Sequence, residues 1–128
     1  MRGSVTDYDA AIRAAEEEAA DHRFKDAYNT LGTALSIGGP RDRECRYRRG
    51  VYALRVAQTR LDALDDTPDR SRALNKIACW LSRSQAYLTS SGEQASPEDL
   101  ARIARDLERL GAEKDRFRAR WAAASRAS

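Results

Sequence analysis

The apolar residues of this chain recur at three- and four-residue steps over almost its whole length, and this spacing constrains the fold most strongly. Such steps place side chains on one face of an α-helix, whereas a half-buried strand needs alternation, which no segment shows. Only three prolines interrupt the pattern. The sequence therefore predicts an all-α fold, a single domain of about five antiparallel helices over residues 7–124, with flexible tails at 1–6 and 125–128.

Four breaks divide the helical pattern. They are predicted at a turn around Asp21 and His22, at residues 38–40 ("GGP"), at residues 65–68 ("DDTP") and at residues 89–96 ("TSSGEQAS"). Glycine ends a helix and proline cannot continue one, so both are typical of such breaks. We expect Asp66 or Thr67 to cap the fourth helix, with Pro68 just inside it, and Ser96 to cap the fifth.

The last helix has the clearest apolar stripe. Its members are Leu100, Ile103, Leu107, Leu110, Lys114, Phe117 and Trp121, in which only Lys114 is polar. We interpret the stripe as the face by which a long helix closes the bundle. The alternative is that it forms a coiled coil with a second copy, giving a homodimer through the C-terminal helix.

Composition and residue types exclude several classes of function. Hydrophobic residues make up 41% of the chain and charged residues 34%, without an apolar run long enough to span a membrane. The first residues lack the apolar core of a signal peptide, and two cysteines are too few for a disulfide framework, so we expect a cytoplasmic protein. One histidine supplies neither a zinc site nor a confident catalytic triad. We therefore expect no enzyme activity, no cofactor and no metal.

The basic residues are mostly arginine, with 20 arginines against 3 lysines among the 23 cations. Seven of the arginines lie between residues 41 and 60. Arginine can pair bidentately with carboxylates, and exposed aromatic residues make good anchors, so we predict a face that binds an acidic protein partner. Its predicted residues are Arg41, Arg46, Arg48, Arg49, Tyr52, Arg55 and Arg60, with Trp121 on the last helix.

Two other interpretations of the arginine-rich face stay open. Guanidinium groups could bind phosphates while tyrosines stack on bases, which would make the protein a nucleic-acid-binding subunit. The first helix, however, carries Glu16, Glu17 and Glu18, which would neutralise the arginines if it packs beside the third helix. In that case the face is only solvated or paired within the fold.

Residues 8–53 resemble a tetratricopeptide repeat. Ala15 stands where that repeat requires a small residue, Ala27 and Leu31 fit its second helix, and "YRRGVYA" around Gly50 looks like the start of another repeat. No 34-residue period continues beyond that point. The resemblance implies helical hairpins and a scaffold that binds a partner.

Residues 22–32 resemble the signature helix of histidine phosphotransfer domains. The matching residues are His22 as phosphoacceptor, Lys25 three residues later, and the pair Leu31 and Gly32. The family prefers glycine four residues after the histidine, where this chain has Asp26, whose charge would repel a phosphoryl group. This resemblance implies that His22 and Lys25 carry out phosphotransfer, and it requires His22 to lie within a helix, whereas the tetratricopeptide resemblance requires a turn there.

Overall fold

Helices make up all regular structure in the residues that the computed structural model describes, which are 4–37, 42–93 and 95–127. The elements are α1 (Ser4–Ala20), α2 (Phe24–Ile37), α3 (Asp42–Asp62), a 3₁₀ turn (Leu64–Asp66), α4 (Arg70–Ser91) and α5 (Pro97–Ala127). The predicted all-α class with five helices is therefore confirmed. Helix extends into both segments that we predicted as tails, and the predicted stop at 38–40 lies outside the described residues.

The α3 helix is the centre of the bundle. Consecutive helices are joined by short connections and pack side by side, and α3 contacts α2, α4 and α5. Tyr52, Ala53 and Leu54 are all buried, although three successive residues point in widely different directions around a helix. Neighbouring helices therefore cover α3 on several sides.

Local side chains set the ends of the helices. The connection between α1 and α2 is a turn in which His22 has the left-handed φ of 61°, as predicted for this stretch. Ser96 caps α5, since its Oγ accepts a hydrogen bond from the Asp99 amide at 3.2 Å. The predicted cap of α4 was wrong. Asp69 caps α4 instead, since its Oδ1 accepts a hydrogen bond from the Arg72 amide at 3.0 Å. The preceding 3₁₀ turn keeps Pro68 outside the helix.

The closest approach of α3 to α4 lies at Gly50. A Cβ atom on this residue would lie 2.8 Å from Leu88 Cγ and 3.0 Å from the Leu88 backbone nitrogen. The buried Ser84 hydroxyl donates a hydrogen bond to the Gly50 carbonyl at 2.7 Å. Gly50 is therefore required by packing, because only a residue without a side chain lets the two helices come this close.

The stripe of α5 closes the bundle through its middle. Ile103 and Leu110 are buried, whereas the end residues Leu100 and Trp121 are 47% and 42% exposed. Lys114 interrupts the stripe and donates a hydrogen bond to Gln85 on α4 at 2.6 Å. The central part of the stripe therefore closes the bundle, which is the first of the two interpretations given above. Among the described residues, no helix combines the length and apolar character needed to cross a bilayer.

Candidate protein-binding surface

The arginines of α3 do not form one face. Successive helical residues point about 100° apart, so the six arginines of α3 reach different neighbours. Arg43 pairs with Asp99 of α5 at 3.1 Å, and Arg48 pairs with Glu16 of α1 at 3.3 Å. Arg41 lies outside the described residues. The predicted neutralisation by acids of the first helix thus occurs at Arg48.

Arg49 is a structural residue held between α2 and α4. Its guanidinium lies 3.8 Å from the centre of the Tyr28 ring, and its Nε donates to the Tyr28 carbonyl at 3.0 Å. Its Nη1 donates to the Tyr87 hydroxyl at 2.5 Å. A Cβ on Gly32 would lie 2.6 Å from Arg49 Nη2, so this glycine leaves the space that the arginine fills. We call Arg49, Tyr28, Tyr87 and Gly32 the Arg49 cluster.

Three other predicted residues have little free surface or lie apart. Tyr52 is only 8% exposed, and this burial raises the pKa of its hydroxyl, so the structure corrects its predicted role as a surface anchor. Arg46 is half-buried, and its buried Nε has no hydrogen-bond partner among the described residues. Trp121 is exposed but lies on α5, where its ring packs 5.8 Å from that of Phe117.

The last two predicted arginines, Arg55 and Arg60, face the beginning of α2. Arg55 is exposed, and its guanidinium lies 5.0 Å from the centre of the Phe24 ring. Arg60 follows Arg49 by eleven residues, which is three helical turns, so both lie on the same stripe of α3. Arg60 therefore occupies the open end of the space between α2 and α4 that the Arg49 cluster closes.

Arg60 borders two surface cavities. The first, of about 320 Å³, lies between the start of α2 and α3 and is lined by His22, Lys25 and Val56 among others. The second, of about 490 Å³, lies between the end of α3 and the start of α4, where Arg72 and Lys76 contribute to its wall. A fifth lining cation, Arg23, pairs with Glu18 and Asp26. We call these two cavities together with the other four cations, Lys25, Arg60, Arg72 and Lys76, the basic groove.

The four cations of the basic groove are not neutralised by acids of the described residues. None of their side chains forms an ion pair or a hydrogen bond with another residue in the described part of the chain. The acids beside them are already engaged. Asp26 pairs with Arg23 at 3.1 Å, and Asp69 caps α4. The groove therefore presents a net positive charge to solvent.

The arginines of α5 show the opposite arrangement. Arg116 pairs with Asp62 at 2.6 Å, and Arg120 pairs with Asp65. Asp65 and Asp69 of the "DDTP" region thus act as an ion-pair partner and a helix cap. No group of three or more potential ligands in the described ranges could hold a metal ion.

A buried acid joins α5 to α3. Asp106 is 5% exposed and accepts a hydrogen bond of 2.5 Å from the Tyr47 hydroxyl. Burial, followed by this hydrogen bond, raises the pKa of Tyr47 well above its ordinary value. The sequence analysis missed Asp106, although its position three residues after Ile103 and four before Leu110 indicates a core-facing acid.

The stretch that resembles a phosphotransfer helix has structural roles instead. His22 is exposed, but it lies in the turn between α1 and α2, so the helix that this resemblance requires is absent there. Leu31 is fully buried, and Gly32 makes room for Arg49. Lys25, the remaining residue of the match, is exposed and belongs to the basic groove.

The two cysteines lie in different environments. Cys45 is buried in the core, whereas Cys79 is exposed. The reason is that Trp80 turns toward α2, where its ring centre lies 4.9 Å from that of Tyr28, and the preceding residue then faces solvent.

Comparison of the chain with protein-family models, with curated proteins and with solved structures gave no match. The argument about function therefore depends on the geometry of the chain itself.

Sequence reasoning did not assign Arg72 and Lys76 to the site. The dense run of arginines that predicts a basic face lies on α3. These two cations lie on α4 and are separated from each other by neutral residues. A usable signal was their spacing with Trp80. Residues 72, 76 and 80 follow four-residue steps, and a buried tryptophan on that stripe turns the two cations toward the same side of the helix.

Proposed function

We propose that the protein is a non-catalytic helical interaction module, an adaptor or small regulatory subunit, that binds an acidic segment of a protein partner through the basic groove. The observation that carries this proposal is the set of four cations without internal partners around two cavities. Elsewhere, several arginines that reach across helices are paired with acids, as Arg43 and Arg116 are, or lie on aromatic rings, as Arg49 and Arg55 do. Cations left open in such a chain indicate a surface that receives its negative charge from outside.

Several features favour a protein over a nucleic acid as the partner. Single-stranded nucleic acids bind through aromatic side chains that stack on bases, whereas the Phe24 ring in the wall of the groove is half-buried and has the Arg55 guanidinium 5.0 Å from its centre. Among the described residues, the groove offers only four cations without an ion pair. The acidic residue Glu16 of α1 neutralises Arg48, so the positive surface does not continue along α3.

The tetratricopeptide resemblance supports the same proposal. It implies a partner-binding scaffold made of helical hairpins, and the turn at His22 between two packed helices is what such a hairpin requires. The phosphotransfer alternative has no comparable support, since His22 is outside any helix.

The proposal is tested by capture of partners from the native cell with wild-type protein and with a double charge reversal, Arg60→Glu with Lys76→Glu. We expect the wild type to retain proteins with acidic segments that the variant loses. Quantitative mass spectrometry measures the difference, and nuclease treatment of the lysate removes capture through nucleic acid.

A matched control separates the groove from net charge. Arg109→Glu with Arg118→Glu makes the same change of charge at exposed positions of α5. Partners lost equally from both variants are held by overall charge, and that result would contradict the proposal. Detectable turnover of a substrate would do so as well.

A further inference from the structure

Arg60 has a singular position in the basic groove because it lines both cavities. Lys25 contributes only to the first cavity, and Arg72 and Lys76 contribute only to the second. The groove is therefore two cationic cavities with one shared arginine between them. A guanidinium carries five N–H donors in a planar fork, so one arginine can donate to acceptors on two sides.

The distance between the two cavities can be measured along α3, which forms the bottom of both. Val56 of α3 lines the first cavity and Ala63 lines the second, seven residues further along. At a rise of about 1.5 Å per residue, these floor positions are about 10 Å apart, with Arg60 between them. In a segment with the polyproline II conformation, which has three residues per turn and a rise of about 3.1 Å per residue, acidic side chains three residues apart lie on the same side and span about 9 Å.

We propose that the basic groove recognises two acidic side chains about 10 Å apart on one segment of the partner, one in each cavity, with Arg60 contacting both. This inference rests on the proposed function and specifies the ligand of the same surface. The first cavity adds the apolar walls Phe24 and Val56, and the second adds Ala63, Pro68 and Ala73. Both therefore have room and apolar lining for the methylene groups of an acidic side chain as well as for its carboxylate.

The test uses three synthetic peptides with capped ends, equal length and two glutamates each. The glutamates are adjacent, three residues apart or nine residues apart, so net charge is constant and only the spacing differs. Each peptide is titrated into the full chain labelled with ¹⁵N, and amide shifts report both affinity and location. We expect the three-residue spacing to bind about fivefold more tightly than the other two, since a second exposed charge pair adds about 1 kcal/mol.

Location of the shifts is the second readout. With the three-residue spacing, the amides around Lys25 and those around Lys76 should move together at the same midpoint. With adjacent glutamates, only one of the two sets should saturate. Lys25→Gln and Lys76→Gln should each weaken the three-residue peptide about twofold to fivefold, and Arg118→Gln should leave its affinity unchanged.

Each other result contradicts a defined part of the argument. Equal affinity for all three peptides, with shifts in the groove, would overturn the spacing rule and leave the proposed function standing. Shifts confined to one cavity with every peptide would overturn the shared role of Arg60. Shifts outside the groove would overturn the proposed function itself. So would tighter binding of a single-stranded oligonucleotide of equal charge, since that result assigns the groove to phosphates.

Discussion

Arg49 and Arg60 lie on the same stripe of α3, three helical turns apart, and they have opposite roles. Arg49 stacks on Tyr28 and donates to the Tyr28 carbonyl and the Tyr87 hydroxyl. Arg60 lines two cavities and makes no ion pair with a described residue. Both face the space between α2 and α4. This space is filled by side chains around Arg49 and is open around Arg60.

The difference shows that the neighbouring helices decide what an arginine does. At Arg49, Gly32 supplies space and two tyrosines supply a ring face and a hydroxyl acceptor. At Arg60, the acids that line the same cavities are engaged by other groups, Asp26 by Arg23 and Asp69 by the Arg72 amide. Arginine content alone therefore does not measure a binding surface. The proposed surface consists of cations without an ion pair that line the two cavities.

The largest effect on stability is expected at the closed end of this space. Arg49→Ala should lower the free energy of unfolding by about 2–4 kcal/mol, because it removes hydrogen bonds from a charged donor and a cation–π contact and leaves a gap. Denaturant unfolding followed by circular dichroism measures this. Arg49→Lys keeps the charge but not the fork, so it should recover only part of the loss. A loss below about 0.5 kcal/mol, typical of surface positions, would show that Arg49 is a surface residue like Arg60.

The second effect concerns the two glycines that permit close contacts beside Arg49. Gly50→Ala should cost about 1–3 kcal/mol, since the new methyl group meets the side chain and backbone of Leu88 and helices α3 and α4 must separate. Gly32→Ala should cost less, because the atom it meets is the end of the flexible Arg49 side chain. Thermal unfolding of both variants gives the order. The reverse order would mean that the Arg49 cluster is more rigid than the α3–α4 contact.

These contacts explain which parts of the structure the sequence could predict. Three- and four-residue apolar spacing is a local signal, so the helices and the core positions Ile12, Ala15, Leu74 and Ile77 could be predicted. The cap of α4 could not, because Asp66, Thr67 and Asp69 are all suitable caps and the 3₁₀ turn decides among them. The binding surface could not either, since pairing between helices separates Arg49 from Arg60 and no local pattern encodes it.

A smaller effect is expected at the contact between α3 and α5. Tyr47→Phe should cost about 1–2 kcal/mol at neutral pH, because the buried Asp106 carboxylate loses its hydroxyl donor. Burial raises the pKa of Tyr47 in the folded state, so above about pH 10 the folded chain keeps a proton that the unfolded chain has lost. Stability should therefore fall as the pH rises above about 10, and the variant should fall less steeply.

Tyrosinate absorbance checks the assignment of this pH dependence. The pKa values of Tyr28 and Tyr52 are also raised by burial, so the variant should show one late-titrating tyrosine fewer than the wild type. If the stability of Tyr47→Phe fell with rising pH as steeply as that of the wild type, Tyr47 would not be the group responsible. Lys114→Met, which changes a neighbouring contact of α5 to α4 without removing a tyrosine, serves as the control.

The smallest effect on stability is expected at Arg60, and it makes the comparison with Arg49 decisive. Arg60→Ala should change the free energy of unfolding by less than about 0.5 kcal/mol, because its side chain makes no ion pair or hydrogen bond with a described residue. Removal of one of four neighbouring cations also relieves repulsion, which offsets the loss of packing by its methylene groups. Added salt should stabilise the wild type slightly more than the variant, since it screens that repulsion. A loss comparable to that of Arg49→Ala, without this dependence on salt, would mean that Arg60 holds α2 and α4 together and is not available to a partner.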